Sequence, residues 1–448
     1  MAATQTFSGG VHPKEIGNGK ASTQSQNIIN LTPPARVTIP LSMHAGAPAA
    51  ACVKVGDVVN LGQVIGEAQG AISAYVHASV SGKVTAVGKC ILPSGKECTA
   101  VSIENDFEDR WDPSVAESAH PGDVSAETII EAARLKGIVG MGGAAFPTAV
   151  KLDTSKLDPK PDVLVVNGSE CEPYLTSDHR IMVECAENVA DGVRLAMKAS
   201  GCTKAYVGIE NNKMDAVEAL SAAAKGAFEV VALPAQYPQG FEKMLIYSLT
   251  GRKVPNGALP SAAGCVVLNV GTCEALSRAV REGRPLIDRV ITVAGRVKNP
   301  GNFRIRLGST ALDLEDAAGG FEDGVSKIIV GGGMMGNAIP SINIPVTKNF
   351  GGLVALGEEG HLPEESACIR CGRCVRACPM RLMPTRIDAH VRHREYAEAV
   401  AAGAKNCMEC GCCTYVCPAK RQLTQSIRVA KAIAGLRSFK ALKERRNI

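Results

Sequence analysis

Two runs of cysteines with one shared spacing constrain this chain more than any other feature of its sequence. Cys368, Cys371, Cys374 and Cys378 precede Pro379, and a second run precedes Pro418. Each run reads C-x2-C-x2-C-x3-C-P, the spacing that holds a pair of [4Fe–4S] clusters, with the fourth cysteine of each run binding the other cluster. We therefore expect two clusters, one on Cys368, Cys371, Cys374 and Cys417, the other on Cys407, Cys410, Cys413 and Cys378.

Structural zinc and disulfide bonds are the alternatives for these cysteines. A zinc site uses two CxxC pairs and leaves the third cysteine of each run without a role. Disulfides need an oxidising compartment, and the N-terminal residues lack the apolar core of a signal peptide. The duplicated spacing therefore favours two clusters, and we interpret Cys412, which lies between two expected ligands, as a spectator.

The length and composition of the chain indicate a cytoplasmic protein of several domains. Its 448 residues exceed what one core accommodates, so we expect three or four domains. The net charge of +5 is small for this length and does not indicate a nucleic-acid partner. No stretch of about 20 apolar residues predicts a membrane span. Seventeen cysteines without a secretion signal favour a reducing compartment.

The first part of the sequence predicts an extension followed by a small β domain. Residues 1–34 are polar and rich in turns. Residues 35–105 alternate short β-type runs with glycine turns and resemble a biotinyl/lipoyl-type barrel-sandwich. Carrier domains of that type need a lysine at an exposed hairpin, and Ala68–Val76 contains none. We therefore expect a structural or docking role here.

The remaining sequence predicts three further domains in a multidomain α/β chain. Residues 124–285 alternate strands and helices, which predicts a mostly parallel sheet. Residues 286–345 contain short strands about an Asn-Pro-Gly turn and then a short helix, a pattern that resembles a small β-grasp module. Residues 360–448 are expected to form a helical two-cluster ferredoxin-like domain, with one helix over Thr385–Ala402 joining the cysteine runs.

A glycine-rich loop begins the predicted α/β domain. Gly140, Gly142 and Gly143 leave backbone N–H groups free to approach a phosphate, and Lys151 adds positive charge shortly afterwards. The sequence around them is neither a P-loop nor a Rossmann fingerprint. The alternative is a tight turn between a helix and a strand.

Polar residues follow the predicted strand Val163–Val166. Asn167, Glu170 and Glu172 stand beyond its carboxyl end, where open α/β sheets bind ligands. Asn167 has the chemistry to bond a flavin ring edge or a ribityl hydroxyl. The two glutamates have the chemistry to accept hydroxyls or an amide, although a solvated loop also explains them.

These motifs resemble two related families. The stretches GMGGAAFPTAVKL and NGSECEP resemble the FMN and NADH site of the NADH-oxidising flavoprotein subunit of respiratory complex I. Together with FSGGVHP, YPQGFEKMLIYSLTGR and both cysteine runs, they resemble the RnfC family of the Rnf electron-transport complex over nearly the whole chain. That resemblance implies a barrel-sandwich, a flavin-binding α/β domain, an SLBB-like β-grasp domain and a two-cluster domain, in this order.

The resemblance also assigns roles to individual residues. It implies that FMN, bound non-covalently, contacts Gly140, Gly142, Gly143, Lys151, Asn167, Glu170, Tyr206, Glu210, Asn269 and Thr272, with Tyr206 and Glu210 beside each other at the end of one strand. It implies that NAD(H), the substrate, contacts Phe146 and Glu172. Two positions depart from the complex I pattern: Met141 replaces an arginine and Ser169 replaces an aspartate.

The combination of sites predicts an electron relay. A hydride carrier gives two electrons and a [4Fe–4S] cluster accepts one, and a flavin converts between them. The resemblance implies a peripheral subunit on the cytoplasmic face of the bacterial membrane. Its expected partners are the membrane and iron–sulfur subunits of the complex and, indirectly, ferredoxin. The alternatives are a soluble flavin reductase that serves a cobalamin or amino-acid reductase system, and a non-catalytic electron-transfer adaptor.

The end of the sequence is basic and amphipathic. Ser426–Asn447 carries seven lysines and arginines and one acidic residue, with apolar residues at helical spacing. A helix of this kind docks on a membrane surface or a partner protein. The alternative is a helix packed on the cluster domain.

Overall fold

A computed structural model describes residues 6–15 and 19–435 of the chain. The first strand is β1 (Ile28–Asn30). It is followed by a unit of two antiparallel sheets, ordered β2-β8-β7-β4 and β3-β5-β6. These strands are β2 (Arg36–Pro40), β3 (Ala50–Ala51), β4 (Val58–Val59), β5 (Val64–Glu67), β6 (Val76–His77), β7 (Gly82–Ile91) and β8 (Glu97–Asn105). Both sheets contribute fully buried apolar residues to one core, including Ile39, Ile65 and Val84, as expected for a barrel-sandwich.

An α/β unit follows, and its four strands are all parallel. Alternate residues of β9 face opposite sides: Leu164 packs in one apolar cluster and Val165 in another, so helices cover both faces of the sheet. The elements are α1 (Pro113–Glu117), α2 (Ala126–Leu135), α3 (Thr148–Leu152), β9 (Val163–Gly168), α4 (Ser177–Glu184), α5 (Ala186–Ser200), β10 (Lys204–Glu210), α6 (Met214–Ala224), β11 (Glu229–Leu233), α7 (Glu242–Thr250), β12 (Cys265–Asn269) and α8 (Val270–Arg281). Ser125 caps α2 through its side chain, as its sequence predicts.

The strand order β11-β10-β9-β12 places a topological switch point between β9 and β12. The chain moves from β9 to one side through β10 and β11, and then returns to the other side in β12. Asn167 and Asn269 are paired in register where β9 and β12 end. Open α/β sheets bind ligands at such a point, beyond the carboxyl ends of the strands.

The third unit is a six-stranded sheet of β-grasp type, ordered β1-β14-β13-β17-β15-β16. Its strands and helix after β1 are β13 (Asp288–Gly295), β14 (Gly301–Arg306), α9 (Ala311–Ala317), β15 (Lys327–Val330), β16 (Asn337–Ala338) and β17 (Gly352–Leu356). β17 pairs in parallel with β13, so the sheet extends past residue 345. β1 pairs in parallel with β14, so part of the turn-rich extension forms an edge of this sheet.

The cysteine-rich region is helical. Its helices are α10 (Arg373–Ala377), α11 (Pro384–Arg392), α12 (Tyr396–Ala401), α13 (Cys412–Tyr415) and α14 (Leu423–Gly435). The prediction of one helix over Thr385–Ala402 is wrong, because Arg394 takes a left-handed conformation (φ 60°) between α11 and α12. His390 Nδ1 and Glu395 Oε2, 2.7 Å apart, close this corner.

The N-terminal residues join the flavin-type unit to the helical unit. Phe7 and Val11 are buried in one apolar cluster with Tyr237, Ala377 and neighbouring side chains. The backbone N–H of Gly10 donates to the carbonyl of Ala377 (2.9 Å), and Val11 forms a β-bridge with Tyr237. This segment therefore connects parts of the chain that lie far apart in sequence.

The end of the chain separates into two parts. Ile427 and Ala430 of α14 are fully buried against Ile387 and Ala399, so this part of the helix packs on the helical unit. The rest of the predicted basic face lies outside the described residues. Within the described ranges, no helix is long and apolar enough to cross a membrane.

Candidate functional site

The glycine-rich loop lies over the switch point. The N–H of Gly140 donates to the carbonyl of Phe146 (2.9 Å), and the N–H of Met141 donates to Thr272 Oγ1 (3.0 Å). A Cβ atom at Gly142 would lie 3.0–3.1 Å from the Asn269 side chain, which is closer than most real contacts. Gly142 and Gly143 are exposed on their outer side. The loop is therefore fixed at its base and open to a ligand.

Two asparagines are held at the paired ends of β9 and β12. Asn167 Nδ2 donates to the carbonyl of Gly240 (2.8 Å), and its Oδ1 accepts from the N–H of Ser169 (3.0 Å). Asn269 Oδ1 caps α8 by accepting from the N–H of Gly271 (2.9 Å), and its Nδ2 donates to Asp178 Oδ2 (2.6 Å). These bonds fix both carboxamides at the sheet edge.

Glu170 caps the N-terminus of α4. Its carboxylate accepts from the N–H groups of Asp178 (2.7 Å) and His179 (3.0 Å) and from the Ser177 hydroxyl (3.2 Å). A negative charge is stabilised there by the helix dipole. Burial and the charge of Glu170 raise the pKa of Asp178 to about 7. The site therefore contains one fixed carboxylate and one carboxyl group that titrates near neutrality.

Buried cations surround these carboxylates. Lys213 Nζ lies 3.0 Å from Glu210 Oε2 and donates to the carbonyl of Ser169 (2.7 Å). Lys20 Nζ donates to the carbonyls of Glu170 (2.6 Å) and Leu175 (2.8 Å), and burial followed by the charge of Lys213 lowers its pKa. The loop around the site is thus held from below by positive charge.

Two further cations contact the glycine-rich loop or its supporting strand. Arg289 of β13 donates to the carbonyl of Met141 (2.9 Å), and burial lowers its pKa to about 10. Lys151 donates to the carbonyl of Val267 (3.1 Å), and burial lowers its pKa. Arg289 therefore brings a guanidinium to the position whose side chain is Met141.

The structure brings most of the predicted flavin residues together and separates one of them. Gly140, Gly142, Asn167, Glu170, Asn269 and Thr272 are linked by short contacts at the switch point, and Glu210 joins them through Lys213. Tyr206 is different. It is the third residue of β10, about 13 Å along the strand from Glu210 at about 3.3 Å per residue, and it packs in the apolar cluster with Leu245 and Ile246. The expectation that Tyr206 lies beside Glu210 is therefore wrong, because only Glu210 stands at the carboxyl edge.

Glu172 lies between the α/β, β-grasp and helical units. Its carboxylate accepts from the N–H of Met334 (2.9 Å) and from the Tyr237 hydroxyl (3.3 Å). Tyr237 also donates to the carbonyl of Cys410 (2.7 Å). Burial raises the pKa of Glu172. Phe146, the other residue assigned to the nucleotide, is half-buried at the base of the glycine-rich loop.

Each cysteine run places its fourth cysteine beside the other run. Cys378 lines one pocket together with Cys407, Cys410 and Cys413. Burial raises the pKa of Cys374, and the charge of Cys417 adds to this shift. The buried spectator Cys412 also lines the pocket, so the spacing and not the pocket distinguishes it. In the described ranges, no three histidine, cysteine, aspartate or glutamate side chains converge to hold a single metal ion.

The residues fit the groups that the sequence implies. A loop of exposed glycines above two fixed carboxamides suits a flavin with its phosphate, and a pocket lined by thiols suits an iron–sulfur cluster. Sequence reasoning missed Lys20, Lys213, Arg289 and Tyr237. Neither spacing nor periodicity marks these residues, because tertiary contacts bring them to the site from four separate segments.

Comparisons with known proteins agree with this arrangement. Family models match residues 5–108 (RnfC Barrel sandwich hybrid domain), 133–278 (Nuo51 FMN-binding domain), 290–338 (SLBB domain) and 367–420 (4Fe-4S dicluster domain). The RnfC-type subunit of the proton-translocating ferredoxin:NAD(+) oxidoreductase complex of Clostridium ljungdahlii is 44% identical over 88% of this chain and 86% of its own length. This chain belongs to the RnfC family of ion-translocating ferredoxin:NAD+ oxidoreductase subunits.

A second member of the RnfC family gives the same result. The corresponding subunit of the Na(+)-translocating ferredoxin:NAD(+) oxidoreductase complex of Acetobacterium woodii is 45% identical over 95% of this chain and 96% of its own length. The structure also resembles an NAD+-reducing [NiFe]-hydrogenase chain, with a TM-score of 0.51 and 20% identity, over 73% of this chain and 64% of that one. The hydrogenase likeness shows a shared fold. The predicted order of domains, and the presence of FMN-binding and [4Fe–4S] domains, are confirmed.

Proposed function

We propose that this chain is the NADH-, FMN- and iron–sulfur-binding subunit of a membrane-bound ferredoxin:NAD+ oxidoreductase. It passes electrons between two [4Fe–4S] clusters, FMN and NAD(H). The observation that carries the proposal is a direct link between two sites: Tyr237 and Glu172 join the flavin-type crevice to the cysteine pocket around Cys410. The names of the relatives from Clostridium ljungdahlii and Acetobacterium woodii support the same activity.

The switch point supplies the groups that hold FMN in this proposal. The backbone N–H groups of Gly142 and Gly143 face the open side of the loop and suit a phosphate or a ribityl chain. Asn167 and Asn269 orient the ligand from the sheet edge, and Lys151 adds charge beneath the loop. When bound, FMN supplies the conversion between hydride transfer and single-electron transfer. Phe146 and Glu172 are the proposed contacts of the nicotinamide nucleotide.

The burial of the two cysteine sets gives them different positions in the relay. Cys407, Cys410 and Cys413 with Cys378 lie beside Tyr237, next to the flavin-type unit. In the other set, Cys368 and Cys371 are exposed. We assign the first set to the cluster that exchanges electrons with FMN and the second set to the cluster that faces a partner protein.

The proposal extends to partners and location. The expected partners are membrane and iron–sulfur subunits of the same complex, with ferredoxin reached through them and no nucleic acid. The chain is placed on the cytoplasmic face of the bacterial membrane and held there by those subunits. Anaerobic purification from the native membrane, with identification of the proteins that co-purify, tests this placement.

A non-catalytic adaptor is the second candidate, because two observations favour it. Met141 and Ser169 stand where the complex I relatives carry an arginine and an aspartate, and Ser169 is fully buried beneath the carbonyl of Gly208. An adaptor holds its clusters but does not accept electrons from NADH. Anaerobic titration of cluster absorbance with NADH distinguishes it from the enzyme.

The enzyme proposal has a defined test. Purified protein should contain about eight irons and one FMN, and NADH should reduce it. A preparation with its full iron content that binds no flavin from a stoichiometric excess of FMN would overturn the assignment.

A further inference from the structure

Two cysteines outside the relay face each other on a protruding β-ribbon. Cys90 of β7 and Cys98 of β8 are directly paired in the antiparallel register, and their Sγ atoms are 3.6 Å apart. The pairing is continuous from Val87 to Ile91, after a single irregularity near Val84. The two sulfurs thus lie opposite each other on a regular part of the ribbon.

The backbone around the pair suits a disulfide bond. Directly opposed residues of an antiparallel pair have Cα atoms about 4.5–5.5 Å apart, within the roughly 4.4–6.8 Å range that disulfides span. Closing the bond to about 2.05 Å needs only that the side chains rotate toward each other. The ends of the ribbon are fixed by a tight turn, in which the N–H groups of Leu92 and Gly95 donate to the carbonyls of Lys96 and Leu92 (both 2.8 Å).

A small oxidant can reach this pair. Cys90 and Cys98 are partly exposed, and the neighbouring Lys89–Glu97 ion pair and Ile91 are exposed. Neither cysteine belongs to the two runs that we assign to clusters. The pair is therefore chemically separate from the relay and open to solvent.

We propose that Cys90 and Cys98 form a reversible dithiol–disulfide couple on the barrel-sandwich unit. The oxidant is a low-molecular-weight disulfide of the glutathione class. One cysteine thiolate attacks a sulfur of that disulfide and releases one thiol, and the second cysteine then displaces the other thiol. The Cys90–Cys98 bond forms, the S–S bond of the oxidant breaks, and two electrons and two protons end on the two released thiols.

The environment of the pair sets the direction of its pH dependence. Burial and the nearby Cys98 thiol raise the pKa of Cys90 to about 12. Lys89 Nζ and Glu97 Oε1, 2.6 Å apart on the flanking positions, are the charged groups beside it. Exchange needs a thiolate, so the dithiol form reacts slowly at neutral pH and faster as the pH rises.

The test uses the full-length holoprotein, purified anaerobically and equilibrated with oxidised glutathione. After the free thiols are alkylated, trypsin should give residues 90–96 and 97–110 as one linked species, two hydrogen masses lighter than the sum of the separate peptides. Reduction with dithiothreitol should separate them. Unchanged visible absorbance of the clusters shows that the cysteine runs were not attacked.

Variants make the outcome specific. C90S and C98S should abolish the linked species, and C52S, at an exposed cysteine of the same unit, should leave it unchanged. Full alkylation of both cysteines after equilibration, or glutathione retained on Cys98 of the wild-type protein in place of the link, would overturn the proposal.

Discussion

The hydroxyl of Tyr237 donates a 2.7 Å hydrogen bond to the carbonyl oxygen of Cys410, and so joins the α/β unit to an expected cluster ligand. The same hydroxyl lies 3.3 Å from Glu172. Burial and the charge of Glu172 raise the pKa of Tyr237 far above its usual range, so the hydroxyl remains a donor at any working pH. One side chain therefore sets the spacing between the two redox regions.

Replacing Tyr237 by phenylalanine should weaken this junction. The loss of one buried hydrogen bond costs about 1 kcal/mol, so the Y237F variant should unfold at a lower temperature and show slower reduction of its clusters by NADH. FMN content should not change. The matched control is Y247F, whose ring packs against the same apolar cluster. Equal cluster reduction rates in Y237F and the wild type would contradict this role.

The crossed assignment of cysteines predicts the effects of paired substitutions. C378S should remove the cluster of the second run, and iron content should fall from about eight to about four. Adding C413S should cost no further iron, whereas adding C371S should remove the second cluster as well. C412S is the control and should retain all the iron. Iron analysis with electron paramagnetic resonance checks each variant, and an additive loss in C378S/C413S would show that the runs bind separately.

Two neighbouring glycines should respond differently to alanine. A Cβ at Gly142 comes within 3.0 Å of the Asn269 side chain, whereas a Cβ at Gly143 meets no atom within 4 Å. G142A should lower the free energy of unfolding by about 1–3 kcal/mol, as overpacking does, and should also reduce FMN retention. G143A should leave the flavin-free protein as stable as the wild type and reduce only FMN retention. Calorimetry and flavin fluorescence separate the two effects, and normal flavin content in G143A would remove Gly143 from the site.

Asp178 should make stability depend on pH. Its pKa is raised from about 3.8 to about 7 in the folded chain by burial and by Glu170. The folded state therefore keeps a proton that the unfolded state releases, and this contribution to stability is lost as the pH rises from about 4 to about 7. D178N should become more stable relative to the wild type over this interval. A constant difference between their unfolding temperatures from about pH 5.5 to pH 8 would show that Asp178 does not titrate there.

Local patterns in the sequence predicted the units of the fold well. The spacing of the cysteines and the strand–helix alternation of residues 124–285 are short-range signals, and the structure forms the corresponding helical unit and parallel sheet. Asn167 was found for the same reason, because it directly follows a buried strand. The break at Arg394 was missed, since neither glycine nor proline marks the end of α11.

Contacts between distant segments were beyond such reasoning. Lys20 reaches the carbonyl of Glu170 across 150 positions of sequence, and Arg289 reaches Met141 across 148. The position of Tyr206 was misjudged because the strand continues to Glu210, past the end that its apolar residues indicate. Strand ends and long-range partners depend on packing, which a single sequence does not display.

The segment from Phe7 to Val11 has a consequence for biosynthesis. It is among the first parts of the chain to emerge from the ribosome, yet its binding surface includes Ala377 and Met408, which are translated near the end. Its seat is therefore completed only after the cysteine-rich helices exist, and docking of those helices then closes over a segment made much earlier. A bulky tag placed directly before Phe7 should thus interfere with maturation of the iron-loaded protein more than the same tag after the last helix.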